Sequence, residues 1–181
     1  MNYSWRDALS HALRRNRRDA HHRYMQLASL ATDGQPANRT VVFRGFSEDD
    51  QRLQVATDAR SEKVAQLAAV VAVEICWYFT RSREQFRIRG EAVLHAEGPA
   101  RHRLWSSLSE AARAQFFWPD PGLPLGEGDE ATQAGDGPPD SFVLLEIAPF
   151  RVDHLQLGAD PQQRFLSELR DGRWESQPVN P

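Results

Sequence analysis

Short β-rich segments joined by tight turns dominate the sequence, and this alternation restricts the fold more than any other feature. The segments YMQLASLA, RLQVAT and VVAVEICWYF carry the β-branched and aromatic residues that suit strands. TDGQ and TRSRE follow the first and third of these segments, and SEDDQ precedes the second. The first of these turns contains Asp-Gly, which tolerates positive φ. Few strands alternate with helices, so the sequence predicts a mainly β, antiparallel, barrel-like sheet with peripheral helices.

Periodicity gives the order of the elements along the chain. Trp5, Leu9 and Leu13 recur every four residues and predict an amphipathic first helix over 4–16. The predicted strands are 24–31, 38–46, 52–57, 70–79, 85–96 and 141–157. Two further helices are predicted over 60–69 and 99–117. A final hairpin is predicted to turn at Asp171 and Gly172.

Residues 119–140 differ in composition from the rest of the chain. They contain five prolines and five glycines and almost no residues suited to a core. The segment therefore predicts a long loop. A linker between two domains is the alternative, but the sequence after it is too short to bury a core of its own. The sequence thus predicts a single domain over 1–181.

Charge and cysteine content limit the classes of function. The formal net charge is −3, which does not favour non-specific binding to nucleic acid. Cys76 is the single cysteine, so no intrachain disulfide can form, and no apolar run is long enough for a membrane-spanning helix. We therefore expect a cytoplasmic protein that binds neither nucleic acid nor membrane. The six histidines lack the spacing typical of metal sites, so we expect no metal.

The segment RTVVFR, residues 39–44, suggests an anion site beside a strand. On a regular strand Val41 and Phe43 share a face that suits the core, and Arg39 lies at the edge of that face. An arginine there matches the oxygens of a phosphate or carboxylate, because its donors form a planar fork. The alternative is an arginine that extends to solvent or pairs with an acid.

The segment TDARSEK, residues 57–63, precedes the second predicted helix. Ser61 or Asp58 can cap that helix, and the backbone N–H groups of a helix start attract anions. Lys63 in the first turn opposes the helix dipole unless an anion is bound there. An ordinary capped helix with a solvent-facing lysine is the alternative.

These two segments, together with CWYFTRSREQFRIRGEA, resemble the FMN-binding split-barrel proteins related to pyridoxamine 5′-phosphate oxidase. The resemblance covers about 20–118 and implies a six-stranded split β-barrel, a homodimer, and FMN in a cleft between the subunits. It implies that the strand along the flavin contains Arg39, Val41, Val42, Phe43 and Arg44. The further cofactor residues that it implies are Thr57, Asp58, Ser61, Lys63, Gln85 and Arg164.

The sequence also departs from that pattern. Glu62 replaces the first of two adjacent cations, which leaves either weaker phosphate binding or substitution by Arg60. The segment GADPQQRF, 158–165, lacks the arginine and histidine that hold the substrate in the oxidases. We therefore expect an FMN-dependent oxidoreductase of another substrate, or else a non-catalytic FMN or anionic-ligand protein that acts as a carrier, sensor or scavenger. Trp118 is expected either to pack at an interface or to line the cofactor cleft.

Overall fold

Eight strands and four helices make up the chain in the computed structural model, which describes residues 3–49, 51–126 and 137–181. The strands are Tyr24–Leu30 (β1), Pro36–Phe46 (β2), Leu53–Asp58 (β3), Ala72–Phe79 (β4), Glu84–His95 (β5), Phe142–Gln156 (β6), Gln163–Arg170 (β7) and Arg173–Val179 (β8). The helices are Trp5–Arg15 (α1), Glu62–Ala69 (α2), Pro99–Ser107 (α3) and Glu110–Ala114 (α4), and a 3₁₀ turn, Gln115–Phe117, follows α4. The predicted strands and the terminal hairpin are confirmed to within a few residues.

Six of the strands close into an antiparallel barrel, which confirms the predicted split barrel. The sheet order is β3-β2-β1-β4-β5-β6-β7-β8, and β3 also pairs with β6. The length of β6 makes this possible, because its first half pairs with β3 and its second half with β7. The register shifts at Gly90, where an added Cβ would lie 2.6 Å from the carbonyl oxygen of Ala148. A glycine at this bulge lets β5 approach β6 closely.

Helix α1 packs on the barrel and contributes to its core. Its apolar stripe buries Trp5, Leu9 and Ala12 in the same cluster as Trp77 of β4. Just before the helix, the hydroxyl of Tyr3 lies 2.6 Å from Nδ1 of His154, a side chain only 1% exposed. Burial lowers the pKa of His154 to about 4, so this ring is neutral at pH 7.

The predicted helix over 99–117 is wrong as one continuous element. Helix α3 ends at Ser107, and the next residue, Leu108, has an extended backbone. Ser109 then caps α4 by accepting a hydrogen bond from the amide N of Ala112 at 3.3 Å. A serine that caps a new helix competes with continuation of the old one. The break lets Phe116 pack against Phe142 of the barrel, in a second apolar cluster beside the first.

The described parts of the predicted loop, 119–126 and 137–140, contain no helix or strand. The remainder of that prediction, 127–136, lies outside the described residues. Arg101 of α3 fixes the far end of the loop, because its guanidinium donates to the carbonyl oxygens of Pro138, Pro139 and Phe142. Among the described helices, none has the length and apolar character needed to cross a membrane.

Candidate functional site

A cleft of about 360 Å³ lies on the outside of the barrel, between strands β2 and β3, the start of α2, and the segment from α4 to Pro121. Its strand and helix α2 lining consists of Thr40, Val41, Val42, Arg44, Ala56, Thr57, Asp58 and Lys63. Its opposite wall consists of Ala112, Gln115, Phe116, Trp118, Pro119 and Pro121. The cleft thus unites most of the residues predicted from the two sequence segments.

Strand β2 divides its side chains between the core and the cleft. Phe43 faces inward and packs against Phe46 and Trp77, with ring centroids 4.8 and 5.0 Å apart. Val42 and Arg44 alternate with it on the outer face and line the cleft. Of the predicted residues on this strand, Phe43 therefore packs its side chain in the core rather than in the cleft.

Two buried polar atoms at the cleft have no hydrogen-bond partner within the described chain. They are Nε of Arg44 and Oγ1 of Thr57, a residue that is 3% exposed. Burial lowers the pKa of Arg44, and the neighbouring charge of Arg23 lowers it further. Buried donors without partners are costly, so their presence on the wall of a cleft indicates a polar ligand.

The start of α2 carries a desolvated cation. The hydroxyl of Ser61 donates to the carbonyl oxygen of Asp58 at 2.6 Å and accepts from Nζ of Lys63 at 2.9 Å. Ser61 therefore occupies the N-cap position without capping the helix through its side chain. Burial lowers the pKa of Lys63, and the charge of Arg39 lowers it further. This combination of a helix start and a half-buried cation suits an anion.

Arg60 does not serve as a free replacement for the missing cation at Glu62. Its guanidinium forms a bidentate ion pair with Asp58, at 3.0 and 2.7 Å, and also binds Asp120 at 2.7 Å. The carboxylate of Asp58 is thereby neutralised beside the cleft. Glu62 itself is exposed. The positive charges that face the cleft are therefore those of Arg44 and Lys63.

Arg39 lies beside the cleft but does not line it. Its guanidinium donates to the carbonyl oxygen of Leu27 at 3.1 Å, to Oγ of Ser29 at 2.6 Å and to Oε1 of Gln66 at 2.5 Å. These bonds join β2 to β1 and α2. Its predicted role as a phosphate ligand stays a prediction, while its charge acts on Lys63 at short range.

Gln85 and Arg164 lie on other strands of the sheet, away from the cleft of their own chain. Gln85 is on β5, opposite Tyr78 of β4 and Leu155 of β6. Arg164 is on β7, opposite Leu155, and its guanidinium binds both carboxylate oxygens of Asp153 at 2.9 and 2.5 Å. Within one chain, the structure therefore brings Gln85 and Arg164 near each other but not to the other predicted residues.

Sequence reasoning missed most of the second wall of the cleft. Ala112, Gln115 and Phe116 belong to the short helix and the 3₁₀ turn that replaced the predicted continuous helix. The Trp-Pro pair at Trp118 marked the end of that element, and the structure puts this indole at the rim, 58% exposed. On β2, the predicted core face of Val41 and Phe43 implied that the alternate residues, among them Val42 and Arg44, lie on the outer face.

Comparison with known proteins agrees with this geometry. Residues 2–96 match the family described as pyridoxamine 5′-phosphate oxidase, FMN-binding domain. The chain is 36% identical to pyridoxine/pyridoxamine 5′-phosphate oxidase 2 of Arabidopsis thaliana over 98% of this chain and 96% of that protein.

Two solved structures extend the comparison. A pyridoxamine 5′-phosphate oxidase-related, FMN binding protein of Nostoc punctiforme PCC 73102 has a TM-score of 0.89 and 43% identity, over 99% of this chain and 98% of that one. PhzG from Burkholderia lata 383 has a TM-score of 0.74, over 97% of this chain and 89% of that one, but only 19% identity. The second likeness concerns the fold alone.

The fold and the cleft define a split-barrel flavoprotein. The chain belongs to the FMN-binding family of proteins related to pyridoxamine 5′-phosphate oxidase, and its cofactor is FMN. The cleft fits this group, since the unpartnered donors of Arg44 and Thr57 and the desolvated ammonium of Lys63 suit a phosphorylated ligand.

Proposed function

We propose that the protein is an FMN-dependent oxidoreductase that acts on a small anionic substrate. The observation that carries this proposal is the cleft in which Nε of Arg44 and Oγ1 of Thr57 are buried without partners beside Lys63. Bound FMN supplies the redox chemistry by accepting and returning a hydride. The side chains of the protein bind and orient the reactants and exclude water.

The end of the cleft formed by α2 suits the FMN phosphate. Lys63 provides a charge-assisted donor, Thr57 a free hydroxyl, and the start of α2 its backbone N–H groups. Val41 and Val42 offer apolar contact next to these donors. In this assignment Asp58 does not repel the phosphate, because Arg60 neutralises its carboxylate.

We further propose that the site is completed in a homodimer. The outer face of the barrel contains one row of paired residues that runs from Tyr78 through Gln85 and Leu155 to Arg164. Tyr78 is 44% exposed on this face, which suits burial against a second chain. A cleft of about 360 Å³ is also at the low end for ligand sites, as expected if the partner supplies the remaining wall.

Mixing two variants tests this shared site. Lys63→Ala removes the proposed phosphate contact, and Gln85→Ala removes the contact proposed to come from the partner chain. In a mixed dimer one cleft carries both defects and the other carries neither. We therefore expect about one FMN per dimer with near-wild-type affinity after the subunits are exchanged. FMN affinity that stays at the level of the weaker parent would contradict a site shared between subunits.

Arg44 supports an anionic substrate, because its guanidinium lines the cleft and its Nε has no partner among the described residues. We expect pyridoxamine 5′-phosphate to be a poor substrate. The segment GADPQQRF, 158–165, lacks the arginine and histidine expected of the oxidases, and Asp160 adds a negative charge, while Gln162 and Gln163 offer only neutral donors. Two lost charged contacts at about 1.5–3 kcal/mol each imply about a hundredfold or greater loss in kcat/KM.

The substrate assay uses FMN-loaded protein, pyridoxamine 5′-phosphate and oxygen, with pyridoxal phosphate and peroxide as products. We expect kcat/KM well below about 10⁴ M⁻¹s⁻¹. The name of the Arabidopsis relative points to the opposite result. Turnover at or above that value would make this chain an ordinary pyridoxamine-phosphate oxidase and would overturn the substrate part of the proposal.

A non-catalytic FMN carrier, sensor or scavenger is the second candidate. It is favoured by the lining of the cleft, where the described titratable groups are Arg44, Lys63 and the paired Asp58, none of them a free acid or base. Anaerobic mixing of the holoprotein with reductants and amines separates the two candidates. Flavin bleaching followed by reoxidation in repeated cycles supports the oxidoreductase, whereas an unchanged flavin spectrum with every donor supports the carrier.

We assign the protein to the cytoplasm. Its single cysteine, Cys76, is free and half-buried, which suits a reducing compartment. Cell fractionation with an antibody against the native protein tests the assignment, and recovery outside the cytoplasmic fraction would contradict it.

A further inference from the structure

We infer that Arg60 is a positioning residue that fastens the outer wall of the FMN cleft to the start of α2 and so slows the release of FMN. This inference rests on the proposed location of FMN in that cleft. We name this group of residues the Arg60 clasp; it consists of Asp58, Arg60, Trp118 and Asp120. No metal or additional ligand is required for the clasp to form.

The guanidinium of Arg60 joins two segments that are far apart in sequence. On one side, its Nε and Nη2 donate to the two carboxylate oxygens of Asp58, at 3.0 and 2.7 Å. On the other side, its Nη1 donates to the carbonyl oxygen of Trp118 at 3.0 Å and to Oδ1 of Asp120 at 2.7 Å. Hydrogen bonds to Asp58 raise the pKa of Arg60, so its guanidinium stays charged throughout the physiological pH range.

The segment that the clasp holds forms one wall of the cleft. Trp118, Pro119 and Pro121 all line it, and the indole of Trp118 is 58% exposed. An indole so exposed has little packing to fix it. The backbone of Trp118 is held by Arg60 and by one long hydrogen bond from its amide N to the carbonyl oxygen of Gln115, at 3.4 Å. Arg60 therefore provides the short, charge-assisted hydrogen bonds that hold this wall of the cleft in place.

The position of the clasp connects it to cofactor release. Asp58 follows directly after Thr57, and Ser61 and Lys63 begin α2 on the other side of Arg60. One guanidinium thus joins the phosphate end of the cleft to the opposite wall. A ligand held between these walls leaves only after they separate, so loss of the tie raises the dissociation rate more than the association rate.

The first experiment measures FMN dissociation from the holoprotein by the recovery of flavin fluorescence after dilution. We expect Arg60→Ala to raise the dissociation rate about tenfold or more, since two charge-assisted bonds to the far wall are lost. Asp120→Asn, which keeps an acceptor but removes one charge, is expected to raise it about threefold. The matched control is Arg170→Ala, which removes exposed ion pairs on the β7–β8 hairpin. An unchanged dissociation rate in Arg60→Ala would overturn the inference.

Arg60→Ala also frees the negative charge of Asp58 near the phosphate, and a double variant separates this effect from the clasp. In Arg60→Ala with Asp58→Asn the free charge is gone but the tie to Trp118 and Asp120 is still missing. The clasp predicts that FMN release stays fast in the double variant. Recovery of the wild-type rate would mean that Arg60 acts only by neutralising Asp58, and would refute the positioning role.

A measurement without FMN tests the clasp independently of the proposed function. Acrylamide quenching of tryptophan fluorescence in the apoprotein reports on Trp118, because Trp5, Trp77 and Trp105 are buried. Subtracting the signal of Trp118→Phe isolates this residue from the half-buried Trp174. We expect Arg60→Ala to increase quenching of Trp118 and Arg170→Ala to leave it unchanged. Equal quenching in both would refute the clasp itself. Increased quenching without faster FMN release would leave the clasp in place but would overturn its control of FMN release and the proposed location of FMN between these walls.

Discussion

Two surface regions of the protein carry arginine or lysine side chains, and they differ in whether these cations have carboxylate partners. On the outer face of β4 to β7, each arginine has a carboxylate partner, and the pairs are Arg87 and Arg89 with Glu74, Arg164 with Asp153, and Arg151 and Arg170 with Glu168. At the cleft, Arg44 and Lys63 have no carboxylate at ion-pair distance within the described chain, and burial lowers the pKa of both.

The cations of the first region are therefore balanced by the protein itself, whereas those of the second region are available to bind an anionic ligand. A paired arginine on an exposed sheet contributes little to stability and offers little to an anion. A partly desolvated cation without a carboxylate partner costs stability in the free protein, and a bound anion offsets that cost. We infer that the charges of the paired face are already balanced without FMN, whereas the charges of the cleft are balanced only when FMN is bound.

The largest expected effect is loss of the phosphate contact in Lys63→Ala. Removal of a charge-assisted contact of about 1.5–3 kcal/mol should weaken FMN binding about tenfold or more. Riboflavin, which has no phosphate, should lose far less affinity. Fluorescence titration of the apoprotein with each ligand measures both constants.

Equal losses for FMN and riboflavin would show that Lys63 acts on the fold of the cleft rather than on the phosphate. The matched control is Arg103→Ala, which removes an exposed ion pair with Glu48 near α3. We expect this variant to bind both ligands as the wild type does.

The barrel was predictable because its information is local. The period-two pattern of β2 and the Asp-Gly turns fix strands and register over a few residues. The break between α3 and α4 was harder to foresee, because the apolar residues of 99–117 continue across it. There the cap of Ser109 and the packing of Phe116 on Phe142 prevail over helix continuation, and both depend on distant parts of the chain.

The cleft was only partly predictable for the same reason. The site residues in segments 39–44 and 57–63 could be recognised from the sequence, because in each segment the charged and hydroxyl side chains lie within seven residues of one another. The partner of Arg60, Asp120, is 60 residues away, and no local pattern connects them. The engagement of Arg39 with Ser29 and Gln66 is likewise a tertiary contact that spacing does not reveal.

A pH series sharpens the contrast between unpaired and paired cations. Burial and Arg39 lower the pKa of Lys63 in the free protein from its ordinary 10.5, while a bound phosphate favours the charged form. FMN binding therefore takes up a proton wherever the free lysine is partly deprotonated. Affinity should fall severalfold as alkaline pH approaches that ordinary value. In Lys63→Arg the FMN affinity should stay constant over this pH range, because a guanidinium stays charged. The same slope in both variants would assign the titration to another group.

Thr57→Val tests whether the unpartnered hydroxyl of Thr57 lowers the stability of the apoprotein and strengthens FMN binding. Valine has nearly the same shape but no oxygen to bury, so the free energy of unfolding of the apoprotein should rise by about 1 kcal/mol. FMN binding should weaken about fivefold, because a hydrogen bond is worth about 1 kcal/mol. Urea denaturation and flavin titration measure the two quantities. A variant that loses both stability and affinity would mean that Thr57 is satisfied within the free protein.

The smallest effect is expected on the paired face, in Arg89→Ala. Nε of Arg89 lies 2.9 Å from Glu74, but Arg87 also binds this carboxylate, at 2.5 Å, so Glu74 keeps a partner in the variant. Exposed pairs of this kind contribute about 0.2–1 kcal/mol. We expect the free energy of unfolding to decrease by an amount within that range. FMN affinity should change less than about twofold, which corresponds to about 0.4 kcal/mol. A tenfold loss of FMN affinity would break the comparison, because it would show that an arginine with a carboxylate partner contributes to cofactor binding as strongly as Lys63.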